Sequence, residues 1–585
     1  MNNNTVIIAK VVKDKSIYDP GALIKINVTL QNLTSSEDTG IVELRAKHLN
    51  KQVGQVLKKE YSLNPYANES ITLDWQAPAD DFTGYLIEVE LKDSDHHRID
   101  DSVVAVDVSS SWTKFPRYGY VWNFTKDVNV AERIEKLKDY HINALEYYDW
   151  KYRHHKPVPE NLDKWDDWSG REIYGDTVFA YISEAKQVNM VNMAYNMAYA
   201  AVSGYQEDGV EQDWALYFSE DNPRGTGHFM FKMADSTPTG ITHLYFFDMR
   251  NKGWQDYIFK QMNKVFDVFG FDGWHSDTVG DWGEMQNAQG EKFSVTDTYT
   301  EFLNAAKAVI GEKYLVFNPV GAQGIENVNV SDVDVLYTEM WPWDKDRDGE
   351  YYDSYYALKK AIDRAREESG GKSLVVPAYM NYGYGQENPG QFFNTASVLL
   401  TAATVYAAGG SRIELGDNGN MLCHEYFPAQ SLSMTPELER KIGDLYHFIV
   451  AYQNLLRDGQ METEQTIEVL DYPNNKYGKP NTIWTYAKQD ETYEIVQMIN
   501  LLGVSQDDWR ANDGIKETPT SVEQLELKYY YGDKPKSVWL ASPDIESGRS
   551  QELTFSYDHD NQGDFIRFTI PSLEYWNMIY MVKDK

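Results

Sequence analysis

The feature that most constrains this chain lies between residues 112 and 455. Eight short apolar runs recur there, separated by amphipathic stretches. The runs are "YGYVWNF" (118–124), "INALEYY" (142–148), "VNMAYN" (191–196), "FDGWHS" (271–276), "YLVFNP" (314–319), "DVLYTEM" (334–340), "LVVPAYM" (374–380) and "GGSRIEL" (409–415). Each is too short for a helix and too continuously apolar for a strand with one wet face, so each reads as a strand covered on both sides. Between them lie segments of helical period such as "DVNVAERIEKLKDY" and "TYTEFLNAAKAVIGEK", with Asp or Thr as expected N-caps. Eight strands alternating with helices over about 340 residues predict a (β/α)8 barrel of the TIM type. Residues 197 to 269 do not fit a single helix and read as an elaborated loop over one face of the barrel.

The flanks follow a different period. Before residue 110, "LIKINVTLQNL", "GIVELRAKHL", "SITLDWQAP" and "GYLIEVELKD" alternate apolar and polar residues between turn-rich stretches, which predicts an immunoglobulin-like β-sandwich bracing the barrel. Towards the C-terminus, "TIEVLDY", "NTIWTYAK", "YEIVQMIN", "SVWLASP" and "DFIRFTIP" predict a second β-sandwich. The expected multidomain division is therefore 1–110, 111–458 and 459–585, since 585 residues are too many for one core.

A formal charge of −35 argues against nucleic acid or an anionic membrane as a partner. No run of about 18 apolar residues is present to span a bilayer. The single cysteine, Cys423, rules out an intrachain disulfide and a cysteine-based zinc site. The start, "MNNNTVIIAK", has no charged segment followed by an apolar one, so a secreted form would have had its signal removed. A monomer is expected. The 42 tyrosines and 16 tryptophans are ample for the core and for flat faces that stack on sugar rings.

Chemistry in such a barrel sits at the C-terminal ends of the strands. In "GFDGWHSDTVGDWG" (270–283), four potentially functional side chains, Asp272, His275, Asp277 and Asp281, fall within ten residues. Strand parity sets Phe271, Gly273, His275 and Asp277 on one face, and Asp272, Trp274 and Ser276 on the other. Asp277 then ends the fourth strand, Asp272 has a structural place, and Asp281 on the loop is a substrate-binding candidate. "VLYTEMWPW" puts Glu339 at the end of the sixth strand, followed by Trp341 and Trp343. Two carboxyl groups facing each other across a barrel mouth suit glycoside cleavage, one attacking and one protonating the leaving oxygen. Asp149, Trp150, Asn196, Asn318, Asn381, Glu414 and Asp417 are further strand-end candidates. Together they form the mixture of amide, carboxylate and aromatic groups that recognises neutral hydroxyls. "DKDRDGEYYDSY" places Asp344, Asp346, Asp348 and Gly349 as in the first half of a calcium loop, but its twelfth position is Tyr355 rather than Glu. A substrate-facing loop is the expected reading, with calcium as the alternative. No nucleophile elbow, H-E-x-x-H or P-loop occurs. His154 and His155 have no cluster of ligands around them.

The stretches "YYDWKYRHHKPVP", "FDGWHSDTVGD", "LYTEMW", "GGSRIELGD" and "AYQNLLRDG" resemble glycoside hydrolase family 66, the dextranases and cycloisomaltooligosaccharide glucanotransferases. The resemblance covers the barrel and the order sandwich, barrel, sandwich. It implies retaining cleavage of α-1,6-glucosidic bonds in dextran without a cofactor, with Asp277 as nucleophile and Glu339 as acid/base. It also implies sugar contacts from Trp150, His154, Asn196 and His275, and from Asp346. The cyclising branch carries a carbohydrate-binding module inserted in the barrel domain, and no second run of β patterning interrupts residues 112 to 455. The expectation is therefore an extracellular dextranase releasing isomaltooligosaccharides. A cyclising glucanotransferase, an inactive glucan-binding protein and an α-1,4-acting barrel are the alternatives.

Overall fold

The computed structural model describes residues 5–584. Its centre is a closed barrel of eight parallel strands, β1 (Tyr118–Val121), β2 (Ala144–Tyr147), β3 (Val191–Met197), β4 (Gly273–Asp277), β5 (Tyr314–Asn318), β6 (Val335–Tyr337), β7 (Leu374–Pro377) and β8 (Ser411–Gly416). Each pairs with its neighbours in chain order, and β8 closes on β1. Each of the eight apolar runs coincides with one of these strands, and β3, β4 and β8 extend one residue past their runs. A helix follows each strand: α1 (Val130–Asp139), α2 (Gly175–Gln187), α3 (Lys252–Phe269), α4 (Tyr299–Ile310), α5 (Ile325–Asn329), α6 (Tyr355–Glu368), α7 (Thr395–Ala408) and α8 (Pro436–Ala451). The cap of α1 is Asn129, whose side chain accepts from the Glu132 N–H, rather than the expected aspartate.

The segment 197–269 is only partly the expected loop. Its last eighteen residues are α3, the outer helix that follows β3. Before α3 the chain rises over the C-terminal face of the barrel as a small sheet of Ala200–Val202, His243–Phe246 and Met230–Lys232. Within α3 the buried Trp254, Ile258, Met262, Val265 and Phe269 follow a helical period, which goes unseen when 197–269 is read as one piece. Gly253 is fixed there by the indole of Trp214, which leaves no room for a Cβ.

In the N-terminal sandwich, a three-stranded sheet packs on a four-stranded one. Along Leu23–Asn32 the residues Ile24, Ile26, Val28 and Leu30 are buried and the intervening ones are not, the period-two pattern of a strand with one covered face. The C-terminal block is a second two-sheet sandwich, with seven strands against four, sharing a core that includes Ile483, Val496, Leu527 and Ile566. Helix α7 is buried along its whole length. Its uniform apolarity reflects burial on every side within the protein, and no helix among the described residues is long and apolar enough to cross a membrane.

One buried ion pair joins the first sandwich to the barrel. Asp107, on the last sandwich strand, accepts from Arg117 Nη2 at 2.8 Å just before β1. It also accepts from Gln453 Nε2 at 2.7 Å and Ser109 Oγ at 2.5 Å. Arg117 Nε and Nη1 donate to the carbonyls of His141 and Phe115, so every nitrogen of the guanidinium has a partner out of water. Removing one partner strands the other charge, at a cost of about 3–5 kcal/mol. Asp107→Ala is expected to lower the thermal transition of the barrel and sandwich together by several degrees, as read by calorimetry. An unchanged transition would show that the pair is not what joins the two blocks.

Candidate active site

The site begins with why "GFDGWHSD" folds as it does. Gly270 ends α3 in the left-handed region (φ 77°), its N–H returning to the Phe266 carbonyl at 3.0 Å, which glycine allows without strain. Gly273 lets β3 and β5 close on β4, since a Cβ there would lie 2.6 Å from both Met193 Sδ and the Tyr314 carbonyl. From that point alternate side chains diverge. Trp274 points outward against Phe259 and Phe302, while His275 and Asp277 point into the barrel. Asp272 accepts from the Asn192 backbone and side-chain nitrogens at 2.9 Å each, a purely structural place.

Asp277 stands at the rim in an open cleft of about 320 Å³. Tyr195 donates its hydroxyl to Oδ2 at 2.7 Å, and Asn318 Nδ2 and the Thr278 N–H donate to Oδ1 at 2.9 and 2.8 Å. Asn318 lies directly opposite Asp277 in the β4–β5 ladder. The same Nδ2 reaches Glu339 Oε2 at 3.3 Å, and Asn318 Oδ1 accepts the Glu339 N–H at 3.1 Å. That last bond fixes the amide: with its oxygen facing an N–H, its NH2 must face the two carboxyl groups. The Tyr379 hydroxyl also faces Glu339 and favours its anion.

Burial pushes both acids up, by different amounts. Asp277 rises to about 6 because burial outweighs its three hydrogen bonds. Glu339 rises to about 8, first from burial and then from the charge of Asp277. Around neutrality Asp277 is thus ionised beside a Glu339 that keeps its proton. Separated pairs of this kind are how a site supplies a nucleophile and an acid together.

The other residues singled out from sequence divide sharply. His275 lines the cleft floor, hydrogen-bonded to Tyr118 Oη at 2.9 Å, and burial lowers it to about 3, so the ring is neutral. Trp341 lines one wall. Asp149, Trp150, His154, Asn196, Asp281, Asp346, Asn381, Glu414 and Asp417 do not line the cleft. Trp150 is enclosed against Phe269 and Phe271. Asn196 faces outward, donating to the His154 carbonyl and accepting from the Trp274 indole. His154 accepts the Met197 N–H at 3.0 Å. Asp149 is paired with Lys151, which lies over the Tyr195 ring at 4.7 Å, and its carboxyl is lowered to about 2. Asp149 and Lys151 thus stand behind Tyr195, itself a hydrogen-bond donor to Asp277.

The remaining candidates tie loops and helices together. Asp417 anchors the backbone of Trp122 and Asn123 along with Arg133 and Tyr181. Glu414 pairs with Arg412 and Tyr446 outside the barrel. Asn381 bridges Ser397 and the Ala511 carbonyl. Asp281 caps its own turn through the Gly283 N–H. Asp346 and Asp348 turn their carboxylates to Lys360 and Arg364, away from the cleft. Among the described residues, no group of three or more His, Cys, Asp or Glu is arranged to hold a metal ion.

Several cleft residues escaped the sequence analysis: Glu146, Tyr148, Tyr195, Tyr337, Tyr379, Glu425 and Phe427, with Phe231 reaching in from the excursion after β3. Glu146 lies beside His275, Oε2 to Nδ1 at 3.4 Å, and burial pushes its carboxyl well above the usual carboxylate range. The signal that would have found the strand residues is parity. In "LEYYDW" the inward set is Glu146 and Tyr148, and in "AYNM" it is Tyr195 rather than Asn196.

This geometry can be set beside known proteins. The model of glycosyl hydrolase family 66 matches residues 13–580. A cycloisomaltooligosaccharide glucanotransferase of Niallia circulans is 29% identical over 720 aligned positions, covering 98% of this chain and 72% of that protein. A dextranase of Streptococcus salivarius is 28% identical over 564 positions, covering 86% of this chain and 68% of its own. The crystal structure of a Paenibacillus sp. cycloisomaltooligosaccharide glucanotransferase complexed with cycloisomaltoheptaose superimposes with a TM-score of 0.90 at 27% identity, over 98% of this chain and 100% of that one. With the family model spanning nearly its whole length, and the barrel and flanking sandwiches in place, the chain belongs to glycosyl hydrolase family 66.

Proposed function

We propose that the protein is an endo-acting dextranase, secreted to meet a polymer too large to enter a cell, and that it cleaves α-1,6-glucosidic bonds with retention. Asp277 attacks the anomeric carbon while Glu339 protonates the glycosidic oxygen. Glu339, now ionised, then deprotonates water, which releases the sugar with its α configuration restored. The observation that carries this reading is the shared Asn318 amide. Its Nδ2 lies 2.9 Å from one carboxylate oxygen and 3.3 Å from the other. Those oxygens can be no further apart than the two distances end to end. That bound on the two nearer oxygens is compatible with the roughly 5–5.5 Å of a retaining pair. Asn318 also holds the two groups in register for both steps.

A second reading, intramolecular transfer to give cyclic isomaltooligosaccharides, draws support from the two glucanotransferase relatives. Hydrolysis is favoured by what separates this chain from the Niallia protein. That alignment runs over 720 positions for a chain of 585, so the relative carries stretches that this chain lacks. Within residues 112–455 the sheets outside the barrel are only two- and three-stranded, too small for an inserted binding module.

On dextran the wild type is expected to release linear isomaltooligosaccharides with new reducing ends, and Asp277→Ala to lose on the order of 10⁴-fold or more in kcat. Cyclic products without reducing ends would establish the transferase reading instead, and dextran left intact would overturn both. The pH profile of kcat/KM is expected to be bell-shaped. Below about 6 Asp277 takes up a proton and cannot attack, and above about 8 Glu339 loses the proton it must donate. Tyr195→Phe removes a hydrogen bond that favours the Asp277 anion, so its acidic limb should move to higher pH by roughly half a unit to one unit. A limb that stays in place would detach that limb from Asp277.

A further inference from the structure

Beyond the two carboxyl groups, the wall of the cleft continues outward as an aromatic surface. From Asp277 an unbroken line of contacts runs through Asn318 to Glu339, from Glu339 to Tyr379, and from Tyr379 to Trp341 at 5.5 Å between rings. Trp341 then stacks on Trp343, with ring centroids 5.0 Å apart and planes 24° from parallel. Trp341 lines the cleft, whereas Trp343 is 60% exposed. An exposed indole continuous with a catalytic cleft keeps a large apolar face in water, where burial would be worth about 2 kcal/mol or more.

The platform is held from below by a residue of the third block. Arg510, on the loop preceding Val522–Tyr530, is only 2% exposed. Its guanidinium lies 4.6 Å from the Trp341 ring, 5.3 Å from Trp343 and 4.3 Å from Tyr382. Nε donates to the Tyr379 carbonyl at 3.2 Å, but neither terminal nitrogen has a hydrogen-bond partner. A buried cation without partners for two nitrogens is costly, and its attraction to three ring faces offsets part of that cost. A fixed cation against both indoles helps hold the pair in place while Trp343 stays largely in water.

We propose that Trp341 and Trp343 form a stacking subsite for a glucosyl unit on the leaving-group side of the scissile bond, built on Arg510 from the C-terminal block. The inference rests on the dextranase reading for the identity of the sugar. The side follows from order along the wall. Asp277 faces the anomeric carbon and Glu339 the departing oxygen, and Trp341 and Trp343 lie beyond Glu339 in the same line of contacts. A flat pyranose face of C–H groups matches an indole face. The same subsite would hold an acceptor sugar when transfer competes with hydrolysis.

The test compares kcat/KM on isomaltotriose through isomaltoheptaose for wild type, Trp343→Ala and Trp343→Phe. Wild type is expected to gain efficiency with chain length. Trp343→Ala should lose about tenfold of that gain, and Trp343→Phe should keep most of it. In a Glu339→Gln background, isomaltohexaose should quench tryptophan fluorescence, and adding Trp343→Ala should remove most of the quench. A length dependence unchanged in Trp343→Ala, or a loss equal for every length, overturns the subsite while leaving the dextranase reading standing. A wild type inactive on every isomaltooligosaccharide and on dextran overturns that reading, and the subsite falls with it.

Discussion

The catalytic end of this molecule depends on one amide. Asn318 gives its nitrogen to Asp277 and Glu339 and its oxygen to the backbone of Glu339. Two carboxyl groups brought together away from water repel, and each resists ionising. The amide lowers the repulsion without adding charge, so one acid can stay protonated while the other ionises. An ammonium in its place would pull both groups down and leave neither protonated. Strand pairing makes the arrangement possible, because the β4–β5 register sets Asn318 opposite Asp277.

Support for this centre comes from successive layers. Tyr195 holds Asp277, the buried Lys151 lies over the Tyr195 ring, and Asp149 compensates both Lys151 and Arg171. On the opposite side, Tyr379 holds Glu339 while Arg510 binds the Tyr379 carbonyl. Arg510 belongs to the C-terminal block, and its own carbonyl accepts the Asn381 N–H at 3.0 Å. The third block thus reaches the rim of the cleft, while the first is tied to the opposite end of the barrel through Asp107 and Arg117.

Much of this was legible in the residues. Each barrel strand falls on an apolar run because a strand covered on both faces has to be almost continuously apolar. Asp277 and Glu339 stood out as carboxylates where those runs end. The ring of further polar strand ends was read less well, for one physical reason. Side chains alternate across a strand, so adjacent polar residues serve opposite faces. Asn196 and Glu414 face the helices, whereas Tyr195 and Glu146 face the cleft. Past the strand ends parity no longer holds, and Trp150, Asp281, Asn381 and Asp417 turned into local packing and turn contacts. Asp149 looked like a substrate ligand until Lys151 and Trp168 were seen to occupy it.

By itself the sequence determined the barrel, the two sandwiches and the pair of acids at strand ends. These follow from hydrophobic period and from strand position, which are local properties of the chain. Only the tertiary structure decided that Asn318 would stand between the acids, that Tyr195 and Tyr379 would hold them, and that Arg510 would cross from another block to underlie Trp341 and Trp343. Those contacts join residues 21 to 169 positions apart in the chain. They arise from strand register, barrel closure and domain docking, and none of these leaves a mark in the spacing of neighbouring residues.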